Sequence, residues 1–110
     1  MLIKPIPKLL LPHSVEYYEY LGKGRTDDEF AEKVILEYVR VDLNEFVKKT
    51  NANQESLITG TLFIDAKNTS PRIIPKEKSK IVFDGKTMFL ENIEPLVAFN
   101  KIHHWEIDLT

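Results

Sequence analysis

The chain has 110 residues, 43% of them hydrophobic and 29% charged, which suits one globular domain and excludes a disordered chain. Its 15 Lys and Arg against 17 Asp and Glu leave a net charge of −2, which argues against a strongly basic nucleic-acid binder. No cysteine is present, so disulfides, iron–sulfur clusters, thiolate zinc sites and cysteine catalysis are excluded.

The opening stretch, MLIKPIPKLLLPHS, is apolar but broken by Pro5, Pro7, Lys8 and Pro12, unlike the unbroken apolar run of a signal peptide. No stretch approaches the roughly 20 apolar residues of a membrane helix. The expectation is a protein that is intracellular when made. Prolines fix φ at roughly −65° and push the residues before them toward extended backbone, so residues 1–12 read as an extended arm and not a helix. Leu9, Leu10 and Leu11 need cover. The arm either lies against its own domain or docks on a neighbouring subunit.

Residues 13–110 read as one domain, and its pattern is one of strands. His13 to Leu21 carries Val15, Tyr17, Tyr18 and Tyr20 and ends at Gly22-Lys23-Gly24. Thr26-Asp27-Asp28-Glu29 has the spacing of a helix-starting capping box. The β-branched run that follows, Val34 to Val41, makes these turn residues before a strand. That strand carries Val34, Leu36 and Tyr38 on one face and Ile35, Val39 and Val41 on the other, which predicts cover on both faces. Asp42 to Gln54 is ambiguous: Asp42-Leu43-Asn44-Glu45 has helix-start spacing, while Asn51-Ala52-Asn53 is loop material.

From Leu57 to Ala66 the residues alternate, with Ile58, Gly60, Leu62, Ile64 and Ala66 opposite Thr59, Thr61 and Asp65, a half-buried strand. Lys67 to Lys80 is a long loop by composition, with two prolines and five basic residues, and a connection of this length points to function. Ile81-Val82-Phe83, Asp84-Gly85 and Lys86 through Leu90 predict a tight hairpin, because Asp-Gly tolerates positive φ at both central positions. Pro95 is expected to end that arm. His103, Trp105, Ile107 and Leu109 alternate with His104, Glu106 and Asp108 in a closing strand. The fold class is therefore all-β with at most one short helix: a small antiparallel barrel or sandwich behind an extended N-terminal arm.

Chemistry is sparse. His103 and His104 are neighbours on a strand, so their side chains leave opposite faces and are not expected to share a metal. Asp65 has no histidine, lysine or second acid at a fixed spacing, and Gly22-Lys23-Gly24 is too short to cradle a phosphate. The motifs of serine hydrolases, zinc proteases and EF-hands do not occur. These absences point away from an enzyme, with no catalytic residue, metal or cofactor expected. Charge, by contrast, is segregated. Glu16 to Glu45 holds nine acidic against four basic residues, and Lys67 to Lys86 holds six basic against two acidic. The two patches are either solvated or set against each other between neighbouring copies, head to tail.

Four stretches resemble the minor capsid proteins of tailed bacteriophages: Ile6-Pro7-Lys8 through Leu11-Pro12-His13, then Tyr38-Val39-Arg40-Val41-Asp42, then Leu62 to Ala66 with Asn68-Thr69, and last Ala98 to Glu106 (AFNKIHHWE). The segment Leu43 to Ser56 departs from the family pattern, because a hairpin is expected there and its signals are those of a helix start. The resemblance implies a phage or prophage structural protein: a small barrel assembled with copies of itself as a ring at the head–tail junction of the virion, beside other head and tail proteins. It implies assembly in the host cytoplasm, no membrane, and DNA passing through the channel without specific binding. The contacts expected to carry assembly are Leu9, Leu10 and Leu11 of the arm with Arg72, Ile73, Ile74, Lys76 and Lys78 of the basic loop. The competing readings are a nucleic-acid-binding barrel of the OB type, stacking bases on Tyr17, Tyr18 or Tyr20, and a regulatory adaptor.

Overall fold

The computed structural model describes residues 4–49 and 55–110. After one 3-10 turn at Lys8–Leu10, the chain forms β1 (His13–Tyr18), β2 (Tyr20–Lys23), β3 (Asp28–Phe30), β4 (Val34–Lys49), β5 (Glu55–Asp65), β6 (Lys80–Phe83), β7 (Lys86–Ala98) and β8 (Lys101–Leu109). Six of these close into an antiparallel barrel in the order β1-β4-β5-β8-β7-β6, and β2 and β3 form a separate two-stranded sheet. Closure leaves no free edge around the barrel itself. Among the described residues no helix is long and apolar enough to cross a membrane.

Every barrel strand contributes to one core. Val15 and Tyr17 meet Leu36, Val39 and Val41, then Leu62 and Ile64, Trp105, Ile107 and Leu109, Met88 and Leu90, and Ile81. Burying each of the larger aliphatic side chains stabilises the fold by about 1.5–3 kcal/mol. The alternation predicted for β5 and β8 is present, with Ile58, Leu62, Ile64, Trp105, Ile107 and Leu109 all inward. The Asp84-Gly85 hairpin is present as well. Asp84 (φ 50°) and Gly85 (φ 76°) occupy the left-handed region that a two-residue turn between right-twisted strands requires.

Three expectations are corrected and one left open is settled. Strand β4 is not covered on both faces. Its register with β1 runs His13↔Val39 and then Ser14↔Glu37, so Tyr38 is an extra residue, with φ 59°. This bulge inverts the alternation: Leu36 is inward before it and Val39 and Val41 after it, while Ile35 and Tyr38 stay exposed. The apolar residues of both apparent faces thus serve one core. Asp42-Leu43-Asn44-Glu45 starts no helix but continues β4 to Lys49, paired with Glu55, and Asn51-Ala52-Asn53 lies outside the described residues. The capping-box residues Asp28 and Glu29 belong to a short strand rather than a turn. Pro95 does not end β7, which runs on to Ala98 with Pro95 opposite Trp105. Strand β6 stops at the Lys80↔Phe89 pair, so β7 past Leu90 has one open edge, where a missing N–H does no harm.

Candidate functional site: the clasp around the N-terminal arm

The last residue of β5 organises the site. Alternation sends Ile64 inward, so Asp65 leaves on the outer side with Thr59 and Thr61, as read from the sequence. It is nevertheless 1% exposed, because the arm and the turn after β5 cover that side. Its carboxylate accepts three backbone N–H groups: Lys67 (3.0 Å) and Asn68 (2.7 Å) onto Oδ2, and Ile6 of the arm (2.9 Å) onto Oδ1. The Asn68 amide donates back to the Ile6 carbonyl at 2.8 Å. Both backbone groups of Ile6 are thus held by side chains, in the way a neighbouring strand would hold them.

Thr69 ties the same turn to the β4 bulge. Its hydroxyl accepts the Asp65 N–H at 2.9 Å and donates to the Tyr38 carbonyl at 2.6 Å. Lys8 of the 3-10 turn lies 4.4 Å from the centre of the Tyr38 ring, a cation–π contact on the far side of the bulge. Lys8, Leu11, Pro12, His13, Ser14, Glu37 and Tyr38 line a shallow open groove there. His13 closes it from β1, accepting the Val41 N–H on Nδ1 at 3.0 Å and setting its ring edge-on to Phe83.

His103 and His104 supply the remaining wall, and here the structure corrects the sequence reading. Leu96 pairs with His104 and Val97 with Ile102, so His103 is the extra residue of a β8 bulge and the two rings swing together. Their Nδ1 atoms lie 2.9 Å apart. His103 Nε2 sits 2.6 Å from the Lys4 carbonyl and must donate to it, which leaves His103 Nδ1 to accept from the His104 Nδ1–H. His104 Nε2 lies 3.2 Å from Glu106 Oε2 and bonds it when the ring carries a second proton. Among the described residues no group of three or more His, Asp or Glu is placed to hold a metal. Asp65, Asn68, Thr69 and His103 hold backbone groups of the arm and of the β4 bulge. The arrangement is a clasp.

The residues expected to carry assembly contacts divide. Leu9 (88% exposed) and Leu10 stand out from the 3-10 turn, but Leu11 is 1% exposed, buried within its own subunit. In the basic loop, Ile74 is 79% exposed and Arg72, Lys76 and Lys78 are exposed, while Ile73 packs against the core. Ser70 bridges to Glu37, so the start of the loop and the arm's turn both flank the β4 bulge. Lys76 and Lys78 lie elsewhere, at the β1–β2 corner. There the buried Tyr17 hydroxyl donates to Ser79 (3.1 Å) and accepts the Lys76 N–H (3.3 Å), and the Tyr20 N–H donates to Ser79 (3.0 Å). Burial pushes the Tyr17 phenol above its ordinary pKa.

Of the three tyrosines that the OB-type reading would use for stacking, Tyr17 is buried and Tyr18 and Tyr20 are partly exposed. Tyr18 donates to Glu16 and lies under Lys80; Tyr20 is flanked by Lys78 and the edge of Phe30.

Sequence reasoning missed the clasp because its parts are distant in the chain. One signal was present: Asp65 with Lys67 and Asn68 has the spacing of an Asx turn, in which a carboxylate accepts N–H groups two and three residues on. Two further parts, the Tyr38 and His103 bulges, carry no local signature. The four stretches that gave the family resemblance nonetheless converge here, through Ile6, Tyr38, Asp65 with Asn68 and Thr69, and His103 with His104.

A family model described as Minor capsid protein matches residues 7–109, which takes in the arm from Pro7 and the entire barrel. No characterised protein and no solved structure shows significant similarity. With the match spanning nearly the full length and the clasp built from the same stretches, the chain belongs to the minor capsid protein family, and its role is that of a phage structural protein.

Proposed function

We propose that this protein is a head–tail joining subunit of a tailed phage or prophage, assembled with copies of itself as a ring around the DNA exit channel, between other head and tail proteins. The observation that carries this reading is the clasp. The family stretches come together around the arm and fix it while its Leu9 and Leu10 remain outside the fold. A subunit that works by contact needs such projections on a rigid body. Its charge also suits a channel lining that lets DNA pass. The net charge is −2, and Lys78 and Lys80 already lie over aromatic rings of their own subunit.

Phage particles produced without this gene test the reading. Electron microscopy should then show DNA-filled or leaking heads separate from finished tails, restored to whole virions by adding the purified protein. Normal, tailed, infectious particles in its absence would overturn it.

A further inference from the structure

The hydrogen bonds at the Lys4 end of the arm fix a proton count. Three contacts run in a chain from the arm to β8: the Lys4 carbonyl with His103 Nε2 (2.6 Å), His103 Nδ1 with His104 Nδ1 (2.9 Å), and His104 Nε2 with Glu106 Oε2 (3.2 Å). The carbonyl at one end and the carboxylate at the other only accept, so each contact needs one ring proton. Two neutral imidazoles carry one proton too few. The His104 Nε2 lone pair then faces the Glu106 carboxylate, and that contact fails. Two charged imidazoles carry one too many, because both Nδ1 atoms then bear hydrogen and point at each other. The chain is complete only when the pair holds a single positive charge.

The groups around the pair place that charge on His104. Glu106 of the same strand takes its Nε2–H, and Asp65 of β5 is its direct cross-strand neighbour. On β7, Leu96 stands opposite His104, and Glu94 stands opposite Glu106 and adds negative charge to the wall. Lys4 of the arm and Lys67 after β5 are exposed, where solvent and salt screen their charge. His103 is held less firmly. It is the extra residue of the β8 bulge, and among the described residues its side chain bonds only Lys4 and His104.

We infer that the His103–His104 pair is a proton-operated latch on the arm, closed on Lys4 while it holds one extra proton and opened by a second. The second proton charges His103, removes the acceptor of the His104 Nδ1–H and sets two like charges side by side. The His103 ring then turns out to water and leaves the Lys4 carbonyl. The open state binds one proton more than the closed state. As pH falls through this step, the ratio of open to closed arm therefore rises by up to about tenfold per pH unit. Loss of the first proton acts the other way, since His104 then has no donor for Glu106 and the hold weakens as pH rises. The arm is held best between the two steps. The latch belongs to the single subunit and does not depend on the ring.

Nuclear magnetic resonance of the full chain tests the latch from about pH 8 to 5, the range in which histidines ordinarily titrate. Imidazole 15N shifts follow the two proton uptakes, and the order of the Lys4 backbone follows the arm. Lys4 should be ordered between the two steps and lose order with the second, while Trp105 fluorescence stays that of the folded barrel. His104→Asn removes one titrating ring and keeps a partner for His103. Its amide donates to the neutral His103 ring and, turned over, accepts from the charged one. Lys4 should then stay ordered across the whole range. A release driven by Asp65, or by His13 at the other end of the arm, would appear in both proteins alike. Lys4 order unchanged through the second uptake, or lost in His104→Asn in step with the wild type, would overturn the latch.

Discussion

Replacing Asp65 by Ala should cost more than any other single change outside the barrel core. The substitution removes the acceptor of three N–H groups, those of Ile6, Lys67 and Asn68. Hydrogen bonds to a charged acceptor stabilise by about 1.5–3 kcal/mol each when desolvated, and water recovers part of this where the donors are only part-buried. A loss of about 1 kcal/mol per bond gives about 3 kcal/mol in all, or a fall of about 2 M in the urea midpoint for a domain of this size. Asp65→Asn separates the arm from the turn. One amide oxygen still serves Lys67 and Asn68, while the amide nitrogen meets the Ile6 N–H, so the loss should fall to about 1 kcal/mol and act on the arm alone. Amide hydrogen exchange reads the distinction. In Asp65→Asn the Ile6 amide should lose protection while those of Lys67 and Asn68 keep it. An Asp65→Ala midpoint equal to wild type, or an Ile6 amide unprotected in the wild type, would refute the clasp.

Three further outcomes follow from the fold. Gly85→Val should destabilise by about 1–3 kcal/mol through backbone strain alone, since nothing lies within 4 Å of an added Cβ and φ is +76°, and an unchanged denaturation midpoint would contradict it. Trp105→Ala should cost about 3–5 kcal/mol as a core truncation, and the wild-type protein should show the blue-shifted fluorescence of buried indole, not that of hydrated indole. Burial raises the Tyr17 phenol above 10.0, so the stability that the neutral form gives is fully present below pH 10.0 and is lost as pH climbs through the higher folded value. Between pH 10.0 and that higher value the wild type should lose stability more steeply than Tyr17→Phe in chemical denaturation, and parallel curves across that window would refute the assignment.

What the sequence made legible was local. Asp84-Gly85 names its turn because few other dipeptides accept positive φ twice, and the β5 and β8 alternations follow from a pleat with one face in the core. What it hid was where the pleat slips. One extra residue at Tyr38 turned a strand with a single buried face into an apparent two-faced one, and another at His103 brought together two rings that strict alternation would hold apart. The capping spacing at Asp42 left helix and loop open, and that at Thr26 read as a turn into which the short strand Asp28–Phe30 intrudes, because short polar residues also suit the ends of strands. Pro95 read as a terminator because the sequence does not show which strand edges are open. The residues of the clasp were visible one by one, in Ile6, Asp65, Asn68 and His103. Their meeting was not, since it depends on barrel closure bringing β5, β8 and the arm to one side.

A focused cryo-electron-microscopy reconstruction of the DNA exit vertex in intact virions tests the proposed role most directly. The account predicts a ring at the junction whose repeating unit is this six-stranded barrel, with Leu9 and Leu10 of the arm at the contacts between units. The barrel found only on the capsid lattice, or a junction built without it, would contradict the account.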